Sequence, residues 1–242
     1  MPETGSVYYK DSGKVPLASR LSVRVRRRMF DEFLAWYRPT PNTRVLDVGV
    51  TCDHAFAESN FFEQWYPYSH NITCVGTEDA SHLERNFPGL TFAKIEAGKP
   101  LPFPDQSFDL VFSNAVLEHT GDSQSQRRFL AEICRVGQAF FVTTPNRWFP
   151  VEHHTGVPLL HYLPLPIYRR LLRHTRLRYW SDEQHLNMLS ANSVRDLFPQ
   201  DAALEVRSVS LLGFPSNLMA FGRVTRASAA SRHPHPELPS RA

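Results

Sequence analysis

The 242-residue chain is 42% apolar and 12% aromatic, enough to build a core, so global disorder is excluded. Its 27 basic and 24 acidic side chains leave a net charge of +3, too little by itself to point to nucleic acid. Cys52, Cys74 and Cys134 have no pairing or zinc-like spacing, and no run approaches the ~20 apolar residues of a membrane span, so a reduced, cytoplasmic protein is expected.

Residues 1–18 are polar, carry turn formers and lack the apolar stretch of a signal peptide; they read as an extended arm. From Ser19, the positions Leu21, Val25, Met29, Phe33 and Tyr37 recur every four residues and predict a helix that ends before Pro39. Its arginines (Arg20, Arg24, Arg26, Arg27, Arg28) lie mostly off that stripe, as on a solvated face. The run "RVLDVGV" (44–50) is apolar without alternation, the pattern of a strand covered on both sides in a parallel sheet. "ESNFFEQWYPY" predicts a helix capped by Ser59 or Asn60. "NITCVGTED", "LTFAKIEA", "SFDLVFSNAV" and "AFFVTTPN" are four more strand candidates. Before the last of these, Asp122 or Ser123 caps a helix that stops at Gly137.

Residues 147–190 break this rhythm and are rich in Pro, His, Arg and aromatics. A helix "SANSVRDLF" follows, and then two strands, "ALEVRSVSLL" and "NLMAFGRV", close enough to pair antiparallel across "GFPS". The tail, 227–242, is rich in Pro and Ser and is expected to be disordered. Strands alternating with helices predict one α/β domain over 19–226, with 147–190 as an insert.

In such a sheet, ligands bind beyond the carboxyl ends of the strands, where strand order reverses. The residues there are Asp47, Gly49 and Thr51 after the first strand and Glu78 and Asp79 after the second. Ser113 and Asn114 follow the fourth, and Thr144, Pro145 and Asn146 the fifth. An acid at the second position accepts hydrogen bonds from the hydroxyls of an adenosine ribose, although a turn or cap uses the same residue.

"VLDVG", "ITCVGTE" and "LPFPDQSFDLVFSNAVLEH", in this order and spacing, resemble class I S-adenosylmethionine-dependent methyltransferases of the small-molecule and lipid branch (methyltransferase type 11-like). The likeness runs from about Arg44 to Asn146. It implies a Rossmann-like, seven-stranded, mainly parallel sheet with an antiparallel last strand and helices on both faces. It implies S-adenosylmethionine as cofactor, with Asp47 and Gly49 toward its methionine end and Glu78 on the ribose. Ser113 and Asn114 would lie beside the sulfonium and the acceptor. Leu117, Glu118 and His119 match a helix start, where a buried structural role is expected for His119.

Two positions depart from that pattern. The glycine-rich turn is reduced to Gly49, followed by Val50, Thr51, Cys52 and Asp53; Thr51 and Asp53 could instead offer oxygens to the cofactor. Where the family carries an adenine-binding Asp, this chain has Ala97, beside Glu96. The fold can therefore hold an altered cofactor site, or have lost the cofactor and kept a noncatalytic domain that binds a partner or membrane through its basic insert.

For the acceptor side, Glu152, His153 and His154 are the candidate bases, with His153 and His154 foremost. "EHH" also carries metal-binding residue types, but adjacent histidines diverge, so no metal is expected. The segment 157–180 mixes leucines with Arg169, Arg170, Arg173, Arg176 and Arg178; a packed helix, a lid over the acceptor and a peripheral membrane contact all fit it. The expected partner is a small-molecule or lipid-like acceptor, not nucleic acid.

Overall fold

A computed structural model describes residues 17–53 and 59–225 of the chain. The proposed arm up to residue 16, the tail from 227 and residues 54–58 of the first loop lie outside the described residues.

Seven strands form one sheet: β1 (Val45–Val48), β2 (Ile72–Gly76), β3 (Thr91–Lys94), β4 (Leu110–Asn114), β5 (Ala139–Pro145), β6 (Ala202–Leu211) and β7 (Phe214–Val224). Their spatial order is β3-β2-β1-β4-β5-β7-β6. The first five are mutually parallel, and β7 runs antiparallel between β5 and β6. The order reverses at β1 and β4, whose neighbouring carboxyl ends open the crevice where a doubly wound sheet takes its ligand.

The helices are α1 (Leu17–Tyr37), α2 (Phe61–Trp65), α3 (His82–Asn86), α4 (Ser123–Val136), α5 (Leu165–Arg173) and α6 (Ala191–Leu197). One face of the sheet packs on α1, α2 and α3 through Met29, Phe30, Phe33, Phe62 and Leu83. Phe62 stacks on Phe112 of β4 with centroids 4.0 Å apart. The other face packs on α4 and α6 through Leu130, Ile133, Val194 and Leu197. Both faces are thus covered, which is why β1 to β5 read as unbroken apolar runs.

Local signals hold at α4, where the Asp122 carboxylate accepts from the Ser125 amide at 2.8 Å. They fail at α2. That helix is only five residues long, and Asn60, at φ 49°, caps nothing with its side chain. Its amide group instead bonds both backbone groups of Thr51, tying the first loop to the start of α2. The insert contains α5 and two 3-10 turns, Leu160–Tyr162 and Arg178–Ser181, with Tyr168 and Leu172 of α5 buried. No described helix is long and apolar enough to cross a membrane.

Candidate functional site

The cofactor side of the rim begins where β1 ends. The Gly49 and Val50 amides both donate to the Val75 carbonyl, at 2.8 and 3.3 Å, folding the chain tightly over β2. Gly49 has φ 102°, and a Cβ there would lie 2.1 Å from Cγ2 of Val116. No other residue type fits that turn. Val50 does not fill the space above the rim; its side chain is buried in the core with α1 and α2.

Cys52 takes the opposite course. Its thiol donates to the Glu78 carboxylate at 3.1 Å, across the mouth of the loop. Burial, then the hydrogen bond and charge of Glu78, push the Cys52 thiol up to about 11, so it stays a neutral donor at pH 7. Glu78 therefore faces the first loop and accepts a hydrogen bond there. Asp53, which accepts from the Ser59 hydroxyl at 2.7 Å, and Thr51, clamped by Asn60, complete this wall.

Other residues named from the sequence lie elsewhere. Asp47 is buried below the loop and faces Glu63 of α2; burial and that second carboxyl raise it well above the ordinary carboxylate range. Ser113 is fully buried, and its hydroxyl donates to the Val48 carbonyl at 2.8 Å, stitching β4 to β1. Asn114 accepts from the Thr143 hydroxyl at the end of β5. Asp79 is exposed and accepts from the Ser81 amide as a turn cap, which holds its carboxyl low. Ala97 is exposed in the turn after β3.

The acceptor side is a cluster of histidines and glutamates beyond β4 and β5. Asn114 is followed by Ala115, at φ 55°, and by a 3-10 turn, Leu117–His119, which brings Glu118 and His119 onto the rim. Glu118 is 1% exposed, and its Oε2 accepts from the Thr144 hydroxyl at 2.8 Å. His154 Nδ1 bonds Glu152 Oε1 at 2.8 Å, and His154 Nε2 meets His119 Nε2 at 3.1 Å. His119 Nδ1 bonds the His185 carbonyl at 2.7 Å. Trp180, from the insert, packs on the His154 ring with centroids 4.9 Å apart.

Burial opposes charge on both rings, and on His119 it wins, pulling the pKa down. On His154 the Glu152 hydrogen bond and charge overcome burial and raise the pKa. Glu152 is correspondingly held at about 2; burial works against this, but the bonds from His154 and Thr155 outweigh it. His153 takes no part in the cluster, being exposed and stacked on Phe149. The two adjacent histidines therefore diverge. What the sequence conceals is that His154 meets His119, 35 residues earlier, and that Cys52 stands on Glu78.

Residues 57–139 match the family model described as a methyltransferase domain. Among curated proteins no match is found. Among solved structures, an S-adenosylmethionine-dependent methyltransferase from Mesorhizobium loti is similar at TM-score 0.55 and 16% identity, covering 82% of this chain and 99% of that one. The magnesium protoporphyrin IX methyltransferase from Synechocystis PCC 6803, solved with S-adenosylhomocysteine bound, is similar at TM-score 0.55 and 12% identity over 88% of this chain and 90% of that one. A Haloferax volcanii methyltransferase solved with the Trm112 activator gives TM-score 0.53 and 13% identity, over 86% and 97%.

Proposed function

We propose that this chain, which carries a class I S-adenosylmethionine-dependent methyltransferase domain, transfers the cofactor's methyl group to a small or lipid-like acceptor. The observation that carries this reading is the Glu78 carboxylate, which stands at the end of β2, turns to the first loop and already accepts a hydrogen bond there. A ribose hydroxyl bonding Glu78 replaces one neutral donor, the Cys52 thiol, with a stronger one. Gly49 lets the β1 turn fold tightly at the end assigned to methionine, with Val116 packed where a side chain would stand. S-adenosylmethionine has no pyrophosphate, so it does not need the tight phosphate cradle that additional glycines would provide. When bound, it supplies an electrophilic methyl group, and the chain's task is to align the acceptor with it.

The acceptor end lies beyond β4 and β5, beside the insert. There α5 leaves Ile167 and Leu171 half exposed and Arg170 and Arg173 in solvent. An apolar strip edged with arginines suits an amphiphilic acceptor or the anionic surface that holds it. That feature favours the lipid-like end of the acceptor range.

Calorimetric titration with S-adenosylhomocysteine tests the cofactor assignment. Saturable binding is expected, and Glu78→Ala should weaken it by about 1–3 kcal/mol, or roughly 5- to 150-fold. The Cys52–Glu78 bond is also what a noncatalytic domain with a closed cofactor site would show. Absence of both heat and thermal shift at millimolar ligand decides for that second reading.

A further inference from the structure

We propose that Glu118, His119 and His154 form a binding site for one zinc-class divalent cation at the rim of β4 and β5. Each offers one ligand atom, and these atoms all lie within 4.8 Å of one another, with Glu118 Oε1 3.9 Å from His119 Nε2. Two imidazole nitrogens bound tetrahedrally to one zinc stand about 3.3 Å apart, given bonds of about 2.0–2.1 Å. The two Nε2 atoms here are 3.1 Å apart.

The hydrogen bonds around the two rings leave their Nε2 atoms to face a cation. The His185 carbonyl can only accept, so His119 Nδ1 carries a hydrogen. Both oxygens of Glu152 accept backbone amides, from His154 and Thr155, so His154 Nδ1 is a donor to it as well. With both Nδ1 atoms engaged, the two Nε2 atoms face each other across 3.1 Å. Glu118 Oε1 lies 3.9 Å from His119 Nε2, buried and without a hydrogen-bond partner among the described residues. A divalent cation satisfies all three atoms at once.

The supporting contacts are those of a metal centre. Each imidazole donates through Nδ1 to a carbonyl or carboxylate, which fixes the tautomer and raises the basicity of the ligating nitrogen. Thr144 holds Glu118 by its other oxygen, so Oε1 needs only a turn of the carboxylate to close on the nitrogens. Three protein ligands leave a fourth position for water or an acceptor oxygen, the pattern of open rather than structural zinc sites.

The test titrates chelator-treated full-length protein with zinc sulfate against a chromophoric chelator. One equivalent should bind tightly. Glu118→Gln, which preserves size and the Thr144 contact, and His154→Ala should each lower affinity by about 100-fold or more, since even supporting partners are worth about 10- to 100-fold. His153→Ala should leave it unchanged. Zinc X-ray absorption of the wild type should show two imidazoles and no sulfur, which decides the matter should a variant fail to fold. No stoichiometric binding, unchanged affinity in Glu118→Gln, or sulfur in the ligand set would overturn the proposal. The S-adenosylhomocysteine titration is read independently, so either result stands if the other fails.

Discussion

On the β1–β2 side of the rim a neutral thiol stands against a carboxylate, while on the β4–β5 side two imidazole nitrogens face each other beside a carboxylate oxygen with no hydrogen-bond partner among the described residues. The first arrangement is complete in itself, and a ligand must displace part of it. The second, on the proposal above, is completed by a cation. The same kind of location, the irregular chain just beyond parallel strands, thus holds a self-closed site and an open one. The difference lies in the partners: Cys52 is driven toward its neutral form by burial and Glu78, whereas the Nδ1 bonds of His119 and His154 leave both Nε2 atoms facing inward.

The two halves meet where Gly49 lies against Val116, and breaking that contact should produce the largest effect. Gly49→Ala places a methyl group 2.1 Å from Val116 Cγ2 and forces a side chain onto φ 102°. Positive-φ strain and overpacking, each about 1–3 kcal/mol, together predict a loss of about 2–6 kcal/mol in urea unfolding. Val116 precedes the turn that carries Glu118 and His119, so the lesion should reach the histidine side as well. Gly49→Ala with Val116→Ala should recover the packing share and leave the backbone strain. If the double variant is no more stable than the single one, the contact between the halves is not what limits that turn.

A second variant separates the rim from its foundation. Asp47, under the first loop, holds its proton well above the ordinary carboxylate range because it is buried and faces Glu63. The folded state then binds more protons than the unfolded state between the unfolded value of 3.8 and the raised folded one. Stability from this group is present below that window and is lost as pH rises through the folded pKa. Asp47→Asn imitates the protonated form and should remove this alkaline-side decline in the urea midpoint. An unchanged slope would mean that Asp47 is ionised in the fold.

The strands were legible because burial on both faces writes itself as unbroken apolar runs, and Asp122 was legible because a cap is a local bond. Helix α3 was not read, since its five residues bury only Leu83 and five residues show no period. Asn60 looks like a cap by type, yet its amide group satisfies Thr51. Ser113 lies at the expected strand end, but the pleat turns it into the core, where the Val48 carbonyl takes its hydrogen. Glu78 and the last hairpin followed from strand order and resemblance. The histidine cluster did not, because its members come from two crossovers of the sheet and "EHH" shows only one of them. Adjacency in sequence suggested His153 with His154; the sheet pairs His154 with His119 instead.

The smallest expected effect bears on the thiol itself. At pH 7 the Cys52 thiol, with its pKa near about 11, is a weak neutral donor to Glu78 at 3.1 Å. A ribose hydroxyl that takes its place must break that bond, so the cofactor's net gain is the difference between the two donors. Cys52→Ala removes the competitor and should tighten S-adenosylhomocysteine by about 0.5–1 kcal/mol, roughly two- to fivefold in calorimetry. Cys52→Ser installs a better donor and should weaken binding by a similar factor. This opposite pair of signs is hard to obtain any other way: a cysteine that touches the cofactor directly would lose affinity in Cys52→Ala, and a cysteine remote from it would change nothing in either variant.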